Sequence, residues 1–454
     1  MNPAFPEREL GGWGRFPTAR TRVTRPEQMA ALAELVTAQP GLIARGLGRS
    51  YGDAAVAPSG VTLMTERLNR FLAFDADTGV VRCEAGVTIE DLLRHLLPRG
   101  FFPPVTPGTK FVTLGGALAC DVHGKSHHKD GSFSRHVSQF TLLTAGGNLL
   151  SCSREQNAEL FWATLGGMGL TGIITDVTFK MKPVECGLLR VDYDRAPDLD
   201  RALELFETTD QQYTQSVAWI DCLKKGRHLG RSVLMRGNWA AASDLPEGNR
   251  QTALRPAPGG RLSVPFDLPR VLLNPLGVRV FNSMFYHRHR TRHGMLVSYE
   301  PFFYPLDKIQ HWNRLYGKSG FLQYQCLLPH AGAREGIIQL LELLAREGHA
   351  SFLAVLKRFG DSDPNQLLSF PRPGYTLAVD IPRNGERQDV LLDALDQVVL
   401  KAGGRVYLAK DARMRADHFR AMYPEWPRWL EIKRRIDPEN RFSSALSQRL
   451  ELAG

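Results

Sequence analysis

Apolar positions in the first 183 residues switch between a period near 3.6 and a period of 2, so helices and strands alternate there. Met29, Leu32, Leu35 and Val36 recur at helical spacing behind Arg25-Pro26-Glu27, and Pro40-Gly41 ends the run. Residues 42–45 then read as a strand leading into a glycine-rich loop over 46–52, with a second strand at 61–64. Residues 71–74 and 80–83 flank the turn 75–79, which predicts a hairpin. Thr88 is placed to cap a helix over 88–97. The run 112–119 suits a loop entering a helix. A second hairpin pairs 140–144 with 149–151. Glu159, Leu160, Phe161 and Trp162 lie on a further helix, a third glycine-rich loop covers 166–172, and 173–180 is a strand. Pro183 marks the first domain boundary.

From 184 to 400 strands and helices alternate without glycine-rich phosphate loops, as expected of a substrate domain. Residues 237–297 become irregular and rich in proline, glycine and arginine, and 285–290 are basic and aromatic (Phe-Tyr-His-Arg-His-Arg). After 400, residues 406–411 read as a strand followed by helices. No internal repeat is visible. The expected division is 1–183, 184–400, and a segment 401–454 that returns to the first domain.

A length of 454 residues fits two or three domains. The net charge of +10 favours anionic partners. No paired zinc-ligand spacing or basic-region heptad pattern accompanies it, so nucleic acid is not the expected partner. The six cysteines are scattered and form no C-x-x-C pair, which argues against a disulfide scaffold or zinc site. The first 25 residues lack the apolar core of a signal peptide, and no apolar run is long enough to span a bilayer. The expected location is cytoplasmic or peripheral at the inner membrane.

Three glycine-rich elements, 46–52, 108–116 and 166–172, fall in one region. Glycine lets main chain approach a ligand closely, and successive N–H groups then form an anion nest. Gly46, Gly48 and Gly52 do not have Rossmann spacing, and no G-x-x-x-x-G-K-[ST] run occurs. The expected ligand is a bulky nucleotide cofactor held by several loops.

At this point the chain resembles a known family. Residues 44–53 (Ala-Arg-Gly-Leu-Gly-Arg-Ser-Tyr-Gly-Asp) resemble the first flavin loop of the PCMH-type, vanillyl-alcohol-oxidase-like FAD enzymes, and Thr113-Leu114-Gly115-Gly116 their second loop. The run 120–128 (Cys-Asp-Val-His-Gly-Lys-Ser-His-His) resembles the decaprenyl-phosphoryl-β-D-ribose 2-oxidase family, as do 159–162, 321–325 and 409–411. The resemblance implies an α+β fold: a PCMH-type FAD domain and a substrate domain built on an antiparallel sheet with helices. It implies that Ala44, Arg45, Gly46, Leu47, Gly48, Arg49, Ser50, Tyr51, Gly52, Asp53 and Ala54 wrap the FAD diphosphate. Gly108, Thr113, Leu114, Gly115, Gly116, Cys120, Asp121, Val122, His123, Ile174 and Tyr407 would line the rest of the cofactor. Tyr51, His123 and Lys410 would serve catalysis; Lys125, Gln323, Gln325, Lys357 and Phe359 would face substrate. Where many relatives carry the histidine that bonds to flavin, this chain has Asp53, which implies non-covalent FAD.

The implied reaction oxidises C2 of a polyprenyl-phosphoryl ribose to a ketone. An NADH-dependent short-chain reductase would complete the epimerisation to the arabinose donor of a cell-envelope polysaccharide. Lys410 would stabilise negative charge on reduced flavin, while His123 or Tyr51 would accept the hydroxyl proton. Two departures stand out: Thr376 and Ala378 replace a family asparagine and cysteine, and Phe303 replaces a tyrosine. The alternatives are an alditol or aldonolactone oxidase of the same fold, and a non-catalytic flavin or lipid-phosphate binder. The histidines 123, 127 and 128 have no carboxylate partner in their motif, so no metal is expected.

Overall fold

Two small sheets carry the N-terminal region of the computed structural model, which describes residues 5–245, 253–256, 262–269, 275–347 and 353–452. The first contains β1 (Glu7–Gly11), β2 (Thr18–Thr24), β3 (Leu42–Arg45) and β4 (Val61–Met64) in the order β1-β2-β4-β3. Strands β3 and β4 are adjacent and parallel, so the chain must travel back along the sheet between them. That return is the glycine-rich loop. Strands β1 and β2 lie where the sequence reading offers no element. Their signal is short: Thr21 and Val23 turn inward while Arg22 and Thr24 are less buried.

The second sheet contains β5 (Phe71–Phe74), β6 (Val80–Glu84), β8 (Val137–Leu143), β9 (Leu149–Ser153) and β10 (Ile173–Lys180), ordered β5-β6-β10-β8-β9 and antiparallel. Both predicted hairpins are present. A short pair, β7 (Phe101–Phe102) and β11 (Lys182–Pro183), closes the region. The helix Ile89–Leu96 starts where the cap was expected. Thr88 Oγ1 accepts from Asp91 N at 3.0 Å while Asp91 Oδ2 accepts from Thr88 N at 3.0 Å, satisfying two end donors reciprocally.

The larger sheet has eight antiparallel strands. They are β12 (Leu188–Ala196), β13 (Gln215–Ile220), β14 (Ser232–Trp239), β16 (Arg292–Ser298), β18 (Phe321–Leu328), β19 (Ala354–Phe359), β20 (Gly374–Pro382) and β21 (Arg405–Val406). Their order is β16-β12-β14-β13-β19-β20-β18-β21; β15 (Leu262–Ser263) and β17 (Ile309–Gln310) form a separate parallel pair. One face is covered by the amphipathic helices Leu199–Thr209, Ala333–Glu347 and Glu386–Lys401. Registered neighbours share a face, so the opposite face carries Gln323 and Gln325 with Asp380, Ala378 and Thr376. It also carries Lys357, Phe359 and, across β13, Trp219.

Two expectations are corrected. The stretch 237–297 is not irregular throughout: it holds the end of β14, the helix Pro275–Arg288 and β16, although 246–252, 257–261 and 270–274 lie outside the described residues. The helix hid because its inward row includes polar Asn282 beside Val278 and Phe285, which dilutes the apolar period. The strand expected over 406–411 is only Arg405–Val406. Tyr407 O then accepts from Lys410 N at 2.9 Å, so Lys410 sits on a turn.

The C-terminal helices close the chain on its beginning. Ser443 N donates to Leu42 O at 3.0 Å, Trp429 Nε1 to Ala163 O at 2.9 Å, and Arg449 reaches Asp53. Among the described residues, no helix is long and apolar enough to cross a membrane.

Candidate active site

The loop after β3 presents an anion nest. Among the described residues, the main-chain N–H groups of Gly46, Leu47, Gly48, Arg49 and Ser50 have no acceptor within the chain. Five consecutive unspent donors on a half-buried loop are what a pyrophosphate requires. Close packing fixes the loop's path. A Cβ on Gly46 would lie 2.1 Å from Thr113 Oγ1, and one on Gly52 would lie 1.9 Å from Asp411 O. Arg45 braces the loop from behind, donating to Gly11 O at 2.8 Å and Ala55 O at 3.1 Å. The Arg49 guanidinium stacks on Trp13 at 4.2 Å. These features fit FAD.

The second loop differs. Leu114 N and Gly115 N donate to Val87 O and Ala85 O, each at 2.8 Å, and Gly116 N donates to Thr113 Oγ1 at 3.3 Å. Its amides are spent inside the protein, so it shapes the first loop through Thr113 instead of offering donors. Gly108 is open, since a Cβ there would meet no atom within 4 Å. Leu114, Ala54, Val122 and Ile174 are buried apolar residues. Two acidic residues of the implied set also have protein partners. Asp53 pairs with Arg449 at 2.9 and 3.0 Å. Asp121 accepts from Ser132 at 2.9 Å, Gln366 at 3.0 Å, and Ser369.

Cys120 to His128 runs from this region to the larger sheet, where Ser216 N donates to Lys125 O at 2.8 Å. Cys120 O accepts from Tyr407 Oη at 2.8 Å, and burial pushes its thiol up to about 11. His123 packs among Phe359, Tyr407 and Phe370, with ring centroids 4.9, 5.1 and 5.5 Å away. Its Nε2 accepts from Gln325 Nε2 at 2.9 Å; its buried Nδ1 has no partner among the described residues. His127 stacks on Phe359 and His128 bonds Tyr213 O, so the three imidazoles serve different partners.

On the sheet face, Gln325 Nε2 also donates to Thr376 Oγ1 at 3.2 Å. Gln323 Nε2 donates to Asp380 Oδ1 at 2.5 Å and to Tyr51 Oη at 3.3 Å. Lys410 Nζ lies 3.7 Å from the Tyr51 ring centroid. Tyr51 N is tied to Ala409 O at 2.9 Å, so the flavin loop and the lysine turn hold each other. Lys125 Nζ donates to Phe303 O at 3.5 Å, and Lys357 Nζ lies 5.8 Å from the Phe359 ring.

Burial sets the charges. It drives Lys410 down to about 7, opposed by Asp380 and reinforced by Lys357. Lys125 falls to about 7 and Lys357 to about 8, with no carboxylate among the described residues holding either one up. Burial raises Asp380 to about 7 and pushes Tyr51 well above its usual value. It holds His123 well below the usual imidazole range, helped by nearby Lys357. At neutral pH His123 is therefore a neutral base and Tyr51 a protonated donor.

The structure adds Asp380, Tyr316 and Trp13 to the residues read from sequence; Tyr316 Oη donates to Asp380 at 3.3 Å. Asp380 had a legible signal, being an acid inside the otherwise apolar strand Gly374–Pro382. Among the described residues one cluster has metal-ligating types, Asp393, Asp396 and His418, but Arg413 bridges its two carboxylates.

The nest, the second loop and the sheet face define a PCMH-type, FAD-dependent oxidoreductase of α+β architecture. A family model described as "FAD binding domain" matches residues 17–153, and one described as "D-arabinono-1,4-lactone oxidase" matches 337–450. The chain is 38% identical to decaprenylphosphoryl-β-D-ribose oxidase of Mycolicibacterium smegmatis over 452 residues, 98% of each chain. It is 25% identical to L-gulonolactone oxidase of Bos taurus over 95% of this chain and 93% of that one. It is 24% identical to L-gulono-1,4-lactone dehydrogenase of Mycobacterium tuberculosis over 96% and 98%. The chain belongs to the decaprenylphosphoryl-β-D-ribose oxidase family.

Proposed function

We propose that this enzyme oxidises the C2 hydroxyl of a polyprenyl-phosphoryl-β-D-ribose to a ketone. The observation that carries the reading is the pair Lys125 and Lys357, two half-buried lysines on the site side of the sheet with no acid partner among the described residues. Buried unpaired cations are costly, and a phosphodiester relieves that cost where a neutral lactone does not.

FAD, when bound, supplies the hydride acceptor. The N–H groups of residues 46–50 would hold its pyrophosphate, and Lys410 would supply a cation to offset negative charge on the ring. Asp53 stands at the usual attachment position and is already paired with Arg449, so the flavin would be held without a covalent bond. His123 takes the hydroxyl proton through Nδ1. With Gln325 Nε2 facing the ring, Nδ1 carries the proton; when the carboxamide turns its oxygen to the ring, Nδ1 becomes the acceptor. Gln323 is fixed by Asp380 and Tyr51, so its amide meets the sugar in a set orientation, while Gln325 keeps the freedom to turn beside His123. Phe359 packs beside His123 and walls the pocket.

The ketone requires a separate NADH-dependent reductase of the short-chain type to complete inversion at C2. The lipid tail places the enzyme on the cytoplasmic membrane surface as a peripheral protein.

Anaerobic mixing with a polyprenyl-phosphoryl ribose tests the reading. Bleaching of the oxidised-flavin band and a C2 ketone product are expected, with no bleaching by aldonolactones. Bleaching by lactones alone would assign the chain to the lactone oxidases, and a flavin that no donor reduces would make it a binding protein.

A further inference from the structure

Eleven large apolar side chains are exposed among the described residues, and eight of them fall between residues 262 and 296. That concentration singles out one stretch of the chain. Its centre is the helix Pro275–Arg288, which has two unlike faces. The inner face carries Val278 and Asn282, both buried, and Phe285, whose ring packs on Trp219 at 4.6 Å. Asn282 Nδ2 anchors it by donating to Asp221 Oδ1 at 3.0 Å. The outer stripe carries Leu276, Val280 and Met284, one turn apart, at 70, 52 and 65% exposure. A surface helix ordinarily puts polar side chains there.

Charge surrounds the stripe. Residues 275–293 contain Arg279, Arg288, Arg290 and Arg292, all exposed, and no Asp or Glu. Such a face complements an anionic surface and repels a second copy of itself. Within the basic aromatic run 285–290 the aromatics turn inward while the arginines stay exposed: Phe285 faces Trp219, and Tyr286 lies under Arg231 at 4.7 Å. Position supplies the function. Trp219, and Tyr193 against which His289 packs at 6.0 Å, lie by register on the face of the sheet that carries Lys357 and Gln325. The helix therefore packs on the same face as the site, over its β12–β13 end.

We propose that the helix Pro275–Arg288 docks this enzyme on an anionic bilayer, with Leu276, Val280 and Met284 in the acyl boundary and the flanking arginines on lipid phosphates. The proposal deepens the lipid-linked substrate reading: a donor whose tail remains in the bilayer would reach the site beside its own docking helix.

The test uses the full-length, FAD-loaded protein and vesicles of phosphatidylcholine with and without phosphatidylglycerol. Sedimentation with the anionic vesicles is expected, weakening as salt rises. V280D/M284D should lower vesicle affinity about tenfold or more, and R279E/R288E should abolish the preference for phosphatidylglycerol. Both variants should keep parental flavin absorbance and melting temperature. Oxidation of a short-chain, water-soluble prenyl-phosphoryl ribose should be unchanged by V280D/M284D, while oxidation of a long-chain donor in vesicles should fall. Wild-type protein that ignores anionic vesicles, or variants that bind as the parent does, would overturn the proposal. So would a stripe variant whose only effect is to break a dimer or a complex with a reductase. Vesicle binding needs no donor, so failure of both donors to reduce the flavin would sink the substrate reading and leave the docking result standing.

Discussion

The Lys410 ammonium lies 3.7 Å from the centre of the Tyr51 ring, and Tyr51 belongs to the same loop whose N–H groups form the anion nest. Cation and cofactor loop are therefore positioned by one contact. Replacing Lys410 with Met keeps the volume and removes the charge. Flavin reduction should slow about 100-fold, in the range seen when one preorganised charge-stabilising group is lost, with FAD retained. Tyr51→Phe keeps the ring and loses only the Gln323 contact, so it should cost about tenfold or less. Stopped-flow reduction of both variants checks the order; equal losses would show that the hydroxyl, not the ring, matters.

Charge at Lys410 also sets a pH dependence. Its ammonium is held near 7, so it is cationic below that pH and neutral above it. The rate of flavin reduction should fall as pH rises from 7 to 9. Lys410→Arg keeps its charge throughout and should flatten that limb, though the planar fork lowers the absolute rate. His123 imposes no loss near 6.5, because its imidazole stays neutral well below that value. An acid limb centred near 6.5 that persists in Asp380→Asn and vanishes in His123→Gln would show that the imidazole titrates in its ordinary range instead.

Much of this site was visible in the residues. The loop 46–52 announced itself as one of three glycine-rich elements in a single region, and Gln323 and Gln325 showed their common face through a period of two. What local pattern could not show was where donors are spent. Thr113-Leu114-Gly115-Gly116 looks like a phosphate loop, yet Ala85 and Val87, far along the chain, accept its amide hydrogens. Asp53 likewise reads as a flavin-loop residue and proves to be the partner of Arg449, 396 positions later. The turn at Lys410 was hidden because Val406, Tyr407 and Leu408 have strand propensity, while the packing of the turn against Tyr51 decides the conformation.

Arg449 is the clasp of the chain's two ends. It pairs with Asp53 and with Asp411 at 2.9 Å, and both carboxylates are buried. Arg449→Ala leaves two buried acids without their cation and should cost about 3–5 kcal/mol by denaturant unfolding. Flavin reduction should suffer as well, since Asp411 adjoins Lys410. D53N/R449M removes one acid along with the cation and should recover part of the stability. If the double variant is no more stable than the single one, the unpaired charge is not the cause.

Lys357 should reveal the opposite bargain, function held against stability. Its ammonium sits at about 8 when folded, against an unperturbed value near 10.4 for an exposed lysine. Between those values the unfolded chain holds a proton that the folded chain has lost, so stability rises with pH across this window. Below about 8 both states are charged and the full cost of burying the cation remains. Lys357→Met should therefore stabilise the substrate-free enzyme most at pH 6, with the advantage shrinking by pH 10. An anion that binds between Lys125 and Lys357 supplies the missing partner and should stabilise the parent more than the variant, again most at low pH. Melting curves at pH 6, 8 and 10, with and without an alkyl phosphate, check each step. A variant less stable than the parent at pH 6 would show that Lys357 has an acid partner in solution, and the phosphodiester would then lose its place in the site.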